Sequence, residues 1–169
     1  MRQKIRFMSH AAVIAALYAA LTHLQNLLIP GSASWAIQFR ASEALCVLAL
    51  FTPAAIPGLS IGGLLFNLTF SPALPLDFLV GTLASALAAL GMYLCRKKKI
   101  LLLPALLMPA LFNALLVGWE LAVYVGGGFW LNAMYVAIGE AAVLLTLGIA
   151  LYYAIKARRL DTRLFGSYK

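Results

Sequence analysis

Long apolar runs separated by short breaks occupy almost the whole chain. They read as six helices, over roughly 7–28, 37–51, 53–70, 76–94, 100–125 and 130–155. A lipid-spanning helix uses about 20 residues. Backbone polar groups in hydrocarbon must pair internally, and a helix pairs them within one segment. Only 11% of the residues are charged, against roughly 25% in a soluble domain. The expected fold class is therefore an all-α membrane protein, a single transmembrane domain over 1–169 with six transmembrane helices. The spans consume the chain, so no soluble domain of useful size fits.

The breaks have their own chemistry. Pro30, Gly31 and Ser32 end the first run, and Pro72 and Pro75 end the third. Pro53 suits a first helical turn, where its missing N–H costs little. Pro104 and Pro109 fall early in the fifth run and are expected to kink it. Gly126, Gly127 and Gly128 separate the last two runs. The N-terminus, basic and then apolar, imitates a secretory signal. Its apolar stretch is longer than a typical signal core, and further spans follow, so it reads as the first helix.

The net charge of +8 raises nucleic acid as a partner, and the positions argue against it. Arg2, Lys4 and Arg6 precede the first run. Arg96, Lys97, Lys98 and Lys99 separate the fourth from the fifth. Lys156, Arg158, Arg159, Arg163 and Lys169 follow the sixth. With both termini in the cytoplasm (N-in, C-in), all three clusters lie inside, as the positive-inside rule requires. The loops at 29–36, 71–75 and 126–129 then face outward and contain no Lys or Arg. Trp35 and Trp130 mark that interface. The expected location is the cell membrane, multi-pass. Cys46 and Cys95 lie in apolar runs without metal-ligand spacing, so no metal, cofactor or disulfide framework is indicated.

Five ionisable residues sit in or beside the apolar runs: Arg40, Glu43, Asp77, Glu120 and Glu140. A charge at a helix centre costs about 2.5–3.5 kcal/mol on insertion scales, and such residues face bundle interiors and mark functional pathways. Arg40 and Glu43 open the second helix from outside, and Asp77 opens the fourth. Glu120 lies roughly 30 Å above the inner start of its helix, and Glu140 roughly mid-membrane. Asn67, Asn113, Asn132 and Tyr135 fall in the same outer half. Asn113 and Glu120 share a helical stripe that Tyr124 continues, whereas Glu140 lies about 80° around its helix from Asn132. Four carboxylates meet one arginine, so the remainder need protonation, hydrogen-bond donors or a cationic ligand. A ligand rich in N–H donors, or positively charged, is expected.

Each residue also has a structural reading. Asp77 can be an N-cap, Arg40 and Glu43 a salt bridge, Asn67 and Asn113 interhelical glue, and Glu120 a solvated interfacial group. His10, His23, Tyr18 and Trp119 read as interfacial or packing residues. On the first helix, Ala11, Ala15 and Ala19 form one small-residue stripe, and Ala12, Ala16 and Ala20 another. Either permits close helix contact, inside this bundle or with another membrane subunit.

Several segments together carry a family resemblance. They are AAVIAALYAALT (11–22), AIQFRASEAL (36–45), FTPAAIPGLSIGGLLFN (51–67), DFLVGTLASALAAL (77–90), LFNALLVGWEL (111–121) and WLNAMYVAIGEAAVL (130–144). In this order the chain resembles the queuosine precursor transporter (QueT) family, S components of energy-coupling factor (ECF) importers. The resemblance implies a six-helix S component that binds a deazaguanine-type base outside. It also implies docking, through an alanine face of the first helix (Ala11, Ala12, Ala15, Ala16, Ala19), on a transmembrane T subunit driven by two cytoplasmic ATPases. The chain has no phosphate-binding loop of its own.

Such a base presents ring and exocyclic N–H donors, which carboxylates accept. Glu43, Asp77, Glu120 and Glu140 are the expected acidic contacts. Asn67, Asn113 and Asn132 are expected to meet a carbonyl, and Arg40 to orient a carboxylate. Rival readings are an S component for another vitamin or a cationic amine, an intramembrane enzyme and a structural membrane subunit. The chain shows no His cluster, metal spacing or nucleophile–base pair to support an enzyme.

Overall fold

The computed structural model describes residues 1–32, 39–69 and 75–166, and all regular structure among them is helical. In chain order these are α1 (Arg2–Leu28), a 3-10 helix (Ala41–Leu50), α2 (Ala55–Thr69), α3 (Asp77–Lys97), α4 (Leu102–Leu106) and α5 (Met108–Tyr124). There follow α6 (Phe129–Val143), a π turn (Leu144–Gly148), α7 (Ile149–Ala157) and α8 (Leu160–Arg163). The expected start of the second helix at residue 37, Trp35 and most of the turn at 71–75 lie outside the described residues.

Among the described residues, four helical stretches are long and apolar enough to cross a membrane: Arg2–Leu28, Asp77–Lys97, Leu102–Tyr124 and Phe129–Ala157. The 3-10 helix and α2 are apolar but only 10 and 15 residues long. At about 2.0 and 1.5 Å per residue they reach only about 20 Å each, short of a hydrocarbon core of about 30 Å. α1 begins at Arg2 rather than near residue 7, because nothing in its basic first turns breaks a helix. The prolines of the fifth run act as a break rather than a kink. A turn at Leu107 separates α4 from α5, and Pro109 sits in the first turn of α5, where its missing N–H is harmless.

α1, α2, α3, α5 and α6 pack successively, each on the next, and the 3-10 helix lies against the inner side of that arc. Its burial explains its composition. Ser42, Glu43, Ala44, Cys46, Val47, Ala49 and Leu50 are all buried, so both apolar and polar side chains point into the bundle. Large apolar side chains of α1, including Val13, Leu17, Leu24 and Leu27, remain exposed, as lipid-facing positions should.

α1 and α2 approach each other closely through small residues. A Cβ at Gly62 would lie 2.7 Å from Tyr18 Cβ and 2.9 Å from the Ala15 carbonyl oxygen. At Gly58 it would lie 2.9 Å from the Ala11 oxygen. The Ala11/Ala15 stripe is therefore spent on α2, and only glycine admits the contact. Ala12, Ala16 and Ala20 are exposed. Between α5 and α6 the chain reverses through Gly126, Gly127 and Gly128, at φ +92°, +82° and +83°, a conformation costly for any residue with a Cβ.

Candidate functional site

The polar residues of the apolar runs converge. Arg40, on the residue before the 3-10 helix, interacts electrostatically with Tyr18, Asp77, Glu43 and Glu140. Glu120 interacts with Asp77 and Arg40, and Glu140 with Glu43 and Arg40. One arginine thus shares a field with four carboxylates drawn from the 3-10 helix, α3, α5 and α6. Glu43, Glu120 and Glu140 are 2%, 0% and 3% exposed. Asp77 is half-buried at the first residue of α3 and makes no side-chain cap there.

α1 builds one wall. Tyr18, Thr22 and Gln25 follow one another at spacings of four and three, on the face turned to the 3-10 helix. The Tyr18 hydroxyl donates to Glu43 Oε1, and Cys46 Sγ donates to Glu43 Oε2 at 3.1 Å. The expected Arg40–Glu43 bridge is replaced by these two donors. The guanidinium of Arg40 instead lies 5.6 Å over the Phe66 ring, a cation–π contact. Thr22 donates to Ser42 Oγ at 2.7 Å. Gln25 accepts from Ala41 N–H at 2.7 Å and donates to the Phe39 carbonyl, bracketing Arg40 on both sides. None of these α1 side chains was expected at the site. The sequence did carry their signal, a polar stripe at helical spacing on an otherwise apolar helix.

α5 and α6 build the opposite wall. Asn113 Nδ2 donates to Glu140 Oε1 at 2.8 Å, so these two residues lie level with each other. They are 13 and 12 residues from the glycine turn, hence roughly 20 Å below it. Glu120, on the same face of α5 as Asn113, is about 10 Å nearer the turn. Tyr124 does not continue that stripe inward but is exposed, as are Trp119 and Trp130. Tyr135 is half-buried.

The asparagines separate by role. Asn132 Nδ2 donates to the carbonyls of Gly126 and Gly128, at 2.7 and 3.0 Å, and thereby closes the glycine turn. Asn67 Nδ2 donates to the Asp77 main-chain oxygen at 2.8 Å, which fixes the end of its amide that faces α3. His23 bonds Thr69 Oγ1 at 2.8 Å and packs edge-on against Phe66, and His10 packs against Phe165.

Four fully buried side-chain atoms among the described residues have no hydrogen-bond partner: Asn67 Oδ1, Glu120 Oε1 and Oε2, and Glu140 Oε2. All four are acceptors, and all belong to this cluster. Buried polar groups are almost always satisfied. Among the described residues, this cluster is where buried acceptors lack donors. A separate cavity of about 350 Å³ lies at the basic end of the bundle, lined by Arg96, Lys156, Phe51, Tyr152 and Phe165 among others, and holds none of the expected site residues.

The family model described as QueT transporter matches residues 8–157. The chain belongs to the QueT transporter family. Membership and four long apolar helices make it a multi-pass membrane protein with a transport role. Membership also implies a small-molecule substrate. The match takes in every member of the acceptor cluster, from Tyr18 to Glu140. No curated protein and no solved structure matches the chain.

Proposed function

We propose that the chain is the substrate-binding S component of an ECF-type importer, and that it captures a queuosine precursor, a deazaguanine-type base, from outside. In this reading the 3-10 helix and α2 are the second and third of six spans, both termini are cytoplasmic, and the site opens outward. Short elements can serve as spans where they are buried in protein rather than exposed to lipid. The 3-10 helix meets that condition through its burial.

One observation carries the proposal: three buried carboxylate oxygens without donors, on Glu120 and Glu140, lie in the field of a single arginine. A deazaguanine base supplies ring and exocyclic N–H donors, and its aminomethyl form adds an ammonium group. Donors of that kind form charge-assisted hydrogen bonds with carboxylates. The ligand contacts in this reading are Asn67, Asp77, Glu120 and Glu140, with Arg40 setting the field. Asn113 holds Glu140, and Tyr18 holds Glu43. Asn132 serves the turn instead. Docking on a T subunit, coupled to two cytoplasmic ATPases, falls to the Ala12/Ala16 stripe, because Ala11 and Ala15 are already covered by α2.

The test is calorimetric titration of the detergent-purified chain with 7-deazaguanine and its 7-aminomethyl form. Saturable binding is expected. Glu140→Gln, which exchanges the unmatched acceptor for an amide, is expected to weaken it about 10- to 100-fold. The absence of binding to any deazaguanine by folded protein overturns the substrate assignment.

A further inference from the structure

We propose that Glu120 reads a paired N–H edge of the ligand. The receptor then selects planar heterocycles in which a ring N–H stands beside an exocyclic amine. The inference rests on the receptor reading above and deepens it by assigning one carboxylate to one edge.

The assignment comes from the acceptors that remain open. Glu43 receives donors on both oxygens, from Tyr18 and Cys46, so it is a positioning residue that stiffens the wall. Glu140 receives Asn113 on one oxygen and keeps one open. Asp77 is only half-buried. Glu120 alone among the four combines complete burial with two unmatched oxygens. Two parallel acceptors on one carboxylate match two parallel donors on one ligand edge, the arrangement that makes arginine–carboxylate pairs bidentate. A ring N–H beside an exocyclic N–H₂ reproduces that fork on a neutral heterocycle.

Glu120 stands within electrostatic reach of the rest of the cluster. Glu120 lies about two turns above Asn113 on the inner face of α5, and Arg40 supplies a neighbouring positive charge. Asp77 shares the same neighbourhood. Through Asp77 the site reaches Asn67, whose Oδ1 is a further open acceptor. A ligand lacking the exocyclic amine leaves one oxygen of a buried carboxylate unmatched, and a site built for a hydrogen bond rejects such an analogue strongly.

The experiment pairs two ligands with two variants of the full chain in detergent. The ligands are 7-deazaguanine and 7-deazahypoxanthine, identical except for the exocyclic amine. The wild type is expected to prefer 7-deazaguanine by about 10- to 100-fold. Glu120→Gln turns one acceptor into a donor and is expected to abolish that preference, mainly by weakening 7-deazaguanine. Glu120→Asp keeps both oxygens and is expected to retain the preference at lower affinity. It also preserves the test if the amide variant fails to fold.

Equal binding of the two ligands by the wild type overturns this assignment while leaving the receptor reading intact. So does a preference that survives Glu120→Gln, which would mean that a neutral Glu120 suffices. Loss of the preference in Glu120→Asp points away from paired acceptance as well. Binding of neither ligand by folded wild-type chain overturns both readings.

Discussion

Tyr18, Thr22 and Gln25 show how a few hydroxyl and amide groups prepare a site inside an apolar bundle. Tyr18 supplies a donor to Glu43, a carboxylate buried inside the bundle. Removing that donor leaves a buried acceptor unsatisfied, which costs about 1–3 kcal/mol, and more when the acceptor is charged. Tyr18→Phe is therefore expected to lower the thermal midpoint in detergent, with a loss of that size. An unchanged midpoint would show that Glu43 does not depend on the hydroxyl. The same residues show what sequence reading captured at this scale. Arg40, Glu43, Asn67, Asp77, Glu120 and Glu140 stood out because charge and amide are rare in apolar runs. Tyr18 read as a packing residue, since a tyrosine in an apolar helix is ordinary until its hydroxyl has a partner.

At the scale of elements, α1 has two alanine stripes that the sequence leaves equivalent. The glycines of α2 distinguish them. Gly58 and Gly62 approach the backbone at Ala11 and Ala15 too closely to admit even a methyl group, so that stripe is internal. Ala15→Leu is expected to overpack this seam and destabilise the chain by about 1–3 kcal/mol. Ala16→Leu, on the exposed stripe, is expected to leave stability and ligand affinity unchanged but to prevent co-purification with a T subunit. Normal co-purification of Ala16→Leu would remove that stripe from the docking proposal. The 3-10 helix is the element least visible beforehand. Its sequence, ASEALCVLAL, is rich in helix formers. Its tighter winding accompanies clamps at both ends: Gln25 holds its start, and Arg96 donates to the Phe51 carbonyl just past its end at 3.0 Å.

The whole molecule is polarised. Basic residues gather where α3 ends and α7 and α8 finish, whereas Glu120 lies near the glycine turn at the other end of α5. In the proposed topology the basic end is cytoplasmic. Cysteines introduced at Lys98 and Val125 test this, because both sites are exposed and the native Cys46 and Cys95 are buried. A membrane-impermeant maleimide is expected to label Val125→Cys on intact cells, and Lys98→Cys only after permeabilisation. The reverse pattern would invert the orientation and place the acceptor cluster nearer the cytoplasm.

Composition and periodicity alone settled that this chain is helical, apolar and built for lipid. Hydrocarbon allows few backbone solutions, and rare charges within it are conspicuous. They also picked out the acidic residues, since the cost of burying a carboxylate is a local property of the residue. Which oxygens remain open is a different kind of fact. Glu43, Glu120 and Glu140 look alike in the sequence; Cys46 of the same helix gives Glu43 one donor, but only packing between helices adds Tyr18 to it, leaves Glu120 with none and brings Asn113 to Glu140. Hydrogen bonding between separate helices depends on distance and direction across the bundle, and a linear chain carries neither.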